Sequence, residues 1–186
     1  VEAGVGLLPA GGGCKEMARM ASESAGKTGD LFEPLFNYFQ TIAMAKVSSS
    51  AFEMQQLGFG HSGDGISRNK ETLLNDAILR AEILASQGYA PPCPHQPIRV
   101  GGRPILTEIR ARLQIMQQGG FISEHDAFIA GKIAHVISGG DVDGNSMVEA
   151  DYILQLELQA FFELLQHPKT QERIQYTLKN GKPLRN

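Results

Sequence analysis

The sequence has few cysteines, little net charge and no long hydrophobic run, and each absence excludes a class of protein. The two cysteines, Cys14 and Cys93, cannot form a disulfide framework, so we expect a reducing compartment, the cytoplasm. A net charge of −3 with scattered Lys and Arg argues against a nucleic-acid-binding surface. No apolar run approaches the length of a membrane span. The 186 residues, 42% of them hydrophobic, suit one globular core or two small lobes.

Alternation of apolar and polar residues, the pattern typical of strands, is missing from every long stretch, so we predict a mainly α fold. Apolar residues recur instead at helical spacing between glycine and proline stops. Ser24 to Gly29 reads as a polar loop between two helices. We predict helix starts at Asp30, at the serines of 48–50, and at Ser123, Ser146 and Thr170, with capping-box partners at Glu33, Asp126 and Glu149. The longest helix is expected to bury Leu154, Leu158, Phe161, Phe162 and Leu165.

A proline-rich stretch divides the chain. Five prolines lie within residues 89–104, a density that disfavours helix and indicates an extended connector. We therefore predict one region at 1–88, the connector at 89–104, and a helical region at 105–186. The sequence opens at Val1 without a Met, on an apolar, glycine-rich run, so we expect a piece that is truncated on its N-terminal side.

One motif fits a phosphate-binding loop by its letters alone. Residues 21–28 read A-S-E-S-A-G-K-T, with alanine at the first glycine. A phosphate loop requires a buried strand before it and a helix after it. The residues before Ala21 are charged and helical in character, so we interpret the motif as a polar loop and not as the site of a small nucleotide hydrolase.

Other polar groupings are better explained by local structure than by chemistry. Residues 141–145 resemble a calcium loop only faintly, because the glycine is misplaced and Tyr152 stands where a glutamate is required. Cys93 and His95 are too few to bind zinc. No metal site is therefore expected. The acid–base candidates lack a recognisable nucleophile, and the serines at 48–50 form a helix start; these candidates are His61 with Asp64 and His125 with Asp126.

The segment at residues 2–13 resembles a motif of the enoyl-CoA hydratase (crotonase) superfamily. That motif reads roughly P-E-x-x-x-G-x-x-P-G-x-G-G, and this chain has E-A-G-V-G-L-L-P-A-G-G-G. Glu2 falls on the family's second catalytic glutamate. Val1 and Ala10 depart from the pattern, as does the Cys-Lys-Glu that follows it. The glycines followed by Cys14 could instead match the family's G-G-G-C-E motif, but Lys15 stands where that motif requires glutamate.

The resemblance extends more weakly through the rest of the chain. D-A-F-I-A-G-K-I-A at 126–134 and the closing G-K-P tail are similar to a fused type, in which a hydroxyacyl-CoA dehydrogenase precedes a crotonase-like domain. The resemblance thus implies the C-terminal helical portion of a crotonase-like domain within a fatty-acid β-oxidation enzyme. It implies NAD and an acyl-CoA thioester as ligands of the whole protein, but no cofactor bound by this piece. It also implies a homo-oligomer and a possible thiolase partner.

In that family, two glutamates activate the water that adds to an enoyl-CoA, and two backbone N–H groups stabilise the charge on the thioester oxygen. The resemblance assigns an acid/base role to Glu2 and close approach to the acyl-CoA to Gly11, Gly12 and Gly13. The first glutamate and the oxyanion donors would precede Val1. We therefore expect this chain alone to be inactive. The competing interpretation is a helical module for oligomerisation, without catalysis.

Overall fold

The computed structural model describes residues 2–91 and 96–186, and in them the predicted mainly α fold is confirmed. A short 3-10 helix spans Glu2–Val5, and two strands of two residues pair antiparallel. The α-helices are α1 Gly13–Thr28, α2 Phe32–Ala43, α3 Ala51–Gln56, α4 Leu73–Ser86, α5 Gly102–Gln118, α6 Glu124–Ile137, α7 Ala150–Gln166 and α8 Pro168–Asn180, and the strands are β1 Ile98–Arg99 and β2 Met147–Val148. Not one of these described helices combines the length and apolarity of a membrane span.

The chain folds as two compact units, and their limits differ from the regions expected from the sequence. The first unit comprises the described residues of 1–47 and 95–186, and the second those of 48–94. The first unit is therefore discontinuous: α1 and α2 pack with α6 and α7, which come from the far end of the chain. The proline-rich stretch marks the C-terminal limit of the second unit, whereas its N-terminal limit, near Val47, carries no proline.

The first unit has a continuous apolar core between α1, α2, α5, α6 and α7. On α2, α5 and α6 the buried residues recur at helical spacing. Leu35 and Phe39 contribute from α2, Ile109 from α5, and Ile133 from α6. At roughly 1.5–3 kcal/mol for each large apolar side chain removed from water, this core dominates the stability of the unit.

Helix α7 turns a different face to the core from the one predicted. Its buried residues are Ile153, Glu157, Ala160 and Leu164. Leu158 and Phe162, which we expected in the core, are 56% and 51% exposed. Because α7 carries apolar residues around most of its circumference, the hydrophobic pattern alone does not identify the inward face. The helix places a glutamate in the core instead.

Several helix starts agree with the prediction and others do not. The Ser50 hydroxyl caps α3, and Ser123 with Asp126 forms a complete capping box at α6. The Asp30 carboxylate accepts from the Phe32 amide at 2.9 Å, but the N-cap of α2 is Leu31, without a side-chain cap, so the box predicted for Asp30 with Glu33 is wrong. The predicted box of Ser146 with Glu149 is wrong, because α7 begins at Ala150 and has no side-chain cap.

Two further boundaries are corrected. The first unit's last helix begins at Pro168 and not at Thr170; proline fits this position because its missing N–H would have no partner in the first turn. The connector predicted at 89–104 ends early, since β1 and the start of α5 lie inside it. Pro104 is tolerated there because it falls in the first turn of α5.

The second unit differs from the first in having no buried residue among those described. Its helix α4 ends at Ser86, shortly before Gly88 with a φ of 74°, and the apolar side chains of α4 are exposed to solvent. Leu74 is 73% exposed and Ile78 is 49% exposed. Local hydrogen bonds hold the loop after α3, where the side-chain amide of Gln55 donates to the His61 carbonyl at 2.9 Å.

Candidate functional site

The Glu2–Gly13 segment, which carries the crotonase resemblance, forms a compact turn at the start of α1. Glu2 opens the 3-10 helix and is exposed, and its carbonyl accepts from the Leu7 amide at 3.0 Å. The Gly6 amide donates to the Ala3 carbonyl at 3.2 Å. Leu8 is fully buried and anchors the segment in the core. The turn thus presents Glu2 outward from a fixed base.

The predicted glycines each meet a backbone demand. Gly11 and Gly12 have φ of 76° and 106°, in the left-handed region where side chains are strained. A Cβ on Gly13 would lie 2.6 Å from Cβ of Pro9, so the chain can turn into α1 only without a side chain at this position. Their predicted contact with an acyl-CoA stays a prediction.

A carboxylate from α7 occupies the start of α1. Glu157, 1% exposed, accepts from the Gly12 amide at 2.8 Å and from the Lys15 amide at 2.6 Å. Helix starts leave such amides unpaired, and a carboxylate there is also favoured by the helix dipole. The Gly12 donor, predicted to face substrate, is therefore already used within the protein. Sequence reasoning missed Glu157, although a lone glutamate within an apolar helix face is its signal.

Burial dominates the electrostatics of this turn. It raises the pKa of Glu157, while the hydrogen bonds from the Lys15 and Gly12 amides act in the opposite direction. Burial also raises the pKa of the Cys14 thiol well above its usual range, and the carboxylates of Glu157 and Glu2 reinforce that rise. Cys14 is therefore a packed, protonated thiol and no nucleophile.

A second polar contact reaches the turn from α8. The Thr170 hydroxyl donates to the Gly6 carbonyl at 3.1 Å, and Nε2 of His125 lies 3.0 Å from the same hydroxyl oxygen. Because the hydroxyl hydrogen points to Gly6, we assign the proton of the ring to Nε2. Gly6 allows the close approach, since a Cβ there would lie 3.0 Å from Oγ1 of Thr170.

The other polar groupings serve structure. Residues 21–28 lie inside α1, which runs on to Thr28, so the predicted polar loop is wrong and no phosphate loop forms. The His61 ring lies 3.8 Å from the Asp64 carboxylate, and both are exposed. Asp126 caps α6 and pairs with the buried Arg173 at 2.9 Å. His125, its neighbour, is buried in the core with Thr170 as partner.

No metal site is found within the described residues. They hold no cluster of three His, Cys, Asp or Glu side chains that could bind an ion. In the segment resembling a calcium loop, Asp143 pairs with Arg103 and Asn145 adopts a φ of 61°. Cys93 and His95 lie outside the described residues.

An apolar cleft of about 570 Å³ lies between α2, α5 and α6 in the first unit. Phe39, Ile109 and Leu113 form its floor. At its rim, the Arg112 guanidinium lies 4.6 Å from the centre of the Phe36 ring, a cation–π contact. The volume is in the range of small-molecule sites.

One stretch matches the glycine fingerprint of dinucleotide-binding folds by letters only. Residues 58–63 read G-F-G-H-S-G. The fingerprint acts between a strand and a helix, where the glycines bring the helix N-terminus to the pyrophosphate. Here the stretch follows α3 and leads into a loop, so its residues do not fit NAD.

The mainly helical fold and the glycine turn do not by themselves identify the class of the protein, so we compared the chain with known proteins. No family model matches the chain, and no solved structure matches it. The chain is 40% identical, over all 186 residues, to a probable 3-hydroxyacyl-CoA dehydrogenase of Bacillus subtilis (strain 168). It covers 23% of that protein, so it spans about a quarter of the relative's length. The predicted relationship to a 3-hydroxyacyl-CoA dehydrogenase is supported by this similarity, whereas hydratase chemistry stays a prediction.

Proposed function

We propose that the chain is part of a fatty-acid β-oxidation enzyme with 3-hydroxyacyl-CoA dehydrogenase activity, and that this part contributes Glu2 to an enoyl-CoA hydratase site. The observation that carries the first half is the 40% identity to the probable dehydrogenase along the complete chain. The whole protein would act on acyl-CoA thioesters in the cytoplasm. The family resemblance assigns its NAD to a dehydrogenase domain outside the present chain, and the absence of a strand before residues 58–63 in the described part of the chain is consistent with that assignment.

The hydratase half of the proposal is supported by the geometry of the Glu2–Gly13 segment. Glu2 is exposed on a fixed turn, while neighbouring Leu8 is buried. A carboxylate in this position can exchange a proton with a water held by a second group. That second glutamate and the oxyanion donors would come from residues outside this chain. We therefore expect the isolated chain to leave trans-2-enoyl-CoA unchanged.

The test compares the full-length enzyme with its Glu2→Gln variant. We expect hydration of a trans-2-enoyl-CoA to fall by about 10²–10⁴-fold, because one acid/base group is lost. NAD-dependent oxidation of 3-hydroxyacyl-CoA should stay at the wild-type level and report intact folding. Glu16→Gln is the matched control, since Glu16 lies in α1 and pairs with Lys15 and Arg19 on the surface. Full hydratase activity in Glu2→Gln would contradict the assignment.

The second candidate function is a helical oligomerisation module. It is favoured by the second unit, whose apolar side chains on α4 are exposed. The module is the better description if two results are obtained together. Glu2→Gln leaves hydration unchanged, and charged substitutions on α4 dissociate a homo-oligomer of the full-length protein. A thiolase partner remains a prediction from the family resemblance.

A further inference from the structure

The Glu2–Gly13 segment is held at two points by helices from the opposite end of the chain. At Gly6, the carbonyl accepts from the Thr170 hydroxyl of α8 at 3.1 Å. At Gly12, the amide donates to the Glu157 carboxylate of α7 at 2.8 Å. Both side chains are buried, at 0% and 1% exposure. Each contact spans more than 140 positions of sequence, so neither follows from local folding of the turn.

The two contacts bear on Glu2 through the backbone between them. The Leu7 amide donates to the Glu2 carbonyl at 3.0 Å, and the Gly6 amide donates to Ala3. Fixing Gly6 therefore fixes the 3-10 helix that carries Glu2. At the other end, Glu157 bonds both Gly12 and Lys15, which fixes where α1 begins.

The free-energy cost of burying these polar side chains argues that they have a role beyond packing in the core. A buried carboxylate is stabilised only when its oxygens accept hydrogen bonds, and here one oxygen serves Gly12 and the other serves Lys15. An apolar residue at 157 would continue the apolar face of α7 without this cost. The glycines at 6, 11 and 12 all have positive φ, and glycine adopts many backbone conformations. The segment can therefore move to other conformations if the two contacts are removed.

We propose that Glu157 and Thr170 are positioning residues, which hold the Glu2–Gly13 segment in the geometry that acid/base catalysis by Glu2 requires; this inference rests on the proposed hydratase function. Catalysis is sensitive to displacements of about 1 Å, which can cost about 100-fold in rate. Neither residue touches the substrate in this assignment. Their effect should therefore appear in kcat of hydration and not in substrate affinity.

The experiment uses the full-length enzyme with Glu157→Gln and Thr170→Val, two changes that keep side-chain size. Each should lower kcat of hydration by about 10–100-fold with KM little changed. The dehydrogenase activity should stay near wild type. The thermal unfolding midpoint should fall moderately, because each change leaves a buried N–H or carbonyl group without its partner, so the kcat of hydration is compared at a temperature where every variant is folded. Glu163→Gln is the matched control, because Glu163 lies further along α7 and pairs with Lys132 at the surface. It should leave both activities unchanged.

A double variant separates this inference from the proposed function. If Glu157 acts through Glu2, Glu157→Gln should cause no further loss in an enzyme that already carries Glu2→Gln. Independent, multiplying losses would overturn the positioning role. So would unchanged hydration in Thr170→Val and Glu157→Gln while Glu2→Gln is impaired. If Glu157→Gln fails to fold, Thr170→Val decides alone. Unchanged hydration in Glu2→Gln would instead refute the proposed function.

Discussion

At the scale of single residues, a group of buried polar side chains joins α6 to α8 beside the Glu2–Gly13 segment. His125 is stacked on His167 with ring centres 4.4 Å apart and is bonded to Thr170. Its Nδ1 finds no hydrogen-bond partner among the described residues. Arg173, fully buried, is paired with Asp126 and donates from Nε to the Asn186 side chain at 2.8 Å. A neutral imidazole suits this site, because a cation already lies beside it.

The histidine makes the stability of the first unit depend on acid. Burial, reinforced by the charge of Arg173, lowers the pKa of His125 to about 4 from its ordinary value of 6.5. Between these values the unfolded chain binds a proton that the folded chain does not. The free energy of unfolding should therefore fall as the pH drops from about 6.5 to about 4, with a contribution of about 3 kcal/mol from His125.

Urea unfolding of the chain between pH 7 and pH 4 measures this dependence. The change should shrink in His125→Gln, whose side chain can still bond Thr170 but does not titrate. His61→Gln, which alters an exposed histidine, is the control and should retain the wild-type change because His125 is intact. An unaltered acid dependence in His125→Gln would show that another group is responsible.

At the scale of elements, two glycines at helix ends differ in why a side chain is disfavoured: at one the reason is backbone strain alone, and at the other a steric clash is added. Gly29 ends α1 with a φ of 80° and open space around it. Gly102 begins α5 with a φ of 57°, and a Cβ there would lie 2.4 Å from the Val142 carbonyl oxygen. Both positions disfavour a side chain, but only Gly102 is also pressed against backbone that cannot rotate away.

Alanine substitution at these positions should give unequal losses. Gly29→Ala is expected to cost about 1 kcal/mol from the left-handed conformation alone. Gly102→Ala adds the clash and should cost roughly a further 1–3 kcal/mol. The shift of the urea midpoint, at constant slope, measures each loss. Equal losses would mean that the loop at Val142 moves aside freely.

The elements also show how far the sequence predicts the fold. Local signals were sufficient at α6, where Ser123 and Asp126 form the capping box that their spacing indicates. They failed at α1, where Ser24 and Gly26 suggested a loop but tertiary packing continues the helix to Thr28. They also failed for Glu157, since its partners at Gly12 and Lys15 are more than 140 positions away. Long-range hydrogen bonds leave no trace in local periodicity.

At the scale of the whole molecule, the first unit is built from two segments that are far apart in the sequence. The second unit is inserted into the first, between α2 and β1. Its described residues include none that is buried, whereas the first unit buries residues from both of its chain segments. Stability is therefore uneven: local opening should be easiest between residues 48 and 94.

Limited proteolysis of the chain tests this directly. Cleavage should begin in the second unit, for example near Arg68 or Arg80 with trypsin, because exposed helices without buried side chains open at little cost. The two products should stay together, since α1 and α2 remain packed on α6 and α7 across the cut. They should co-elute in size-exclusion chromatography and separate only in denaturant.

A cleavage site inserted at a chosen position tests the same expectation without depending on which bonds trypsin prefers. A specific protease site inserted between Gly63 and Gly65 lies in an exposed loop of the second unit. An equivalent insertion between Gly119 and Gly120, in the first unit, is the control. Cutting at 63–65 should leave the first unit folded, because no core residue is lost with the connection, but its unfolding midpoint should now depend on protein concentration, because unfolding releases two chains. Dissociation of the products would show that the covalent connection, and not the shared core, holds the two chain segments together. Protection of the second unit from trypsin would show instead that the apolar side chains of α4 are covered in solution, for example by a second copy of the chain.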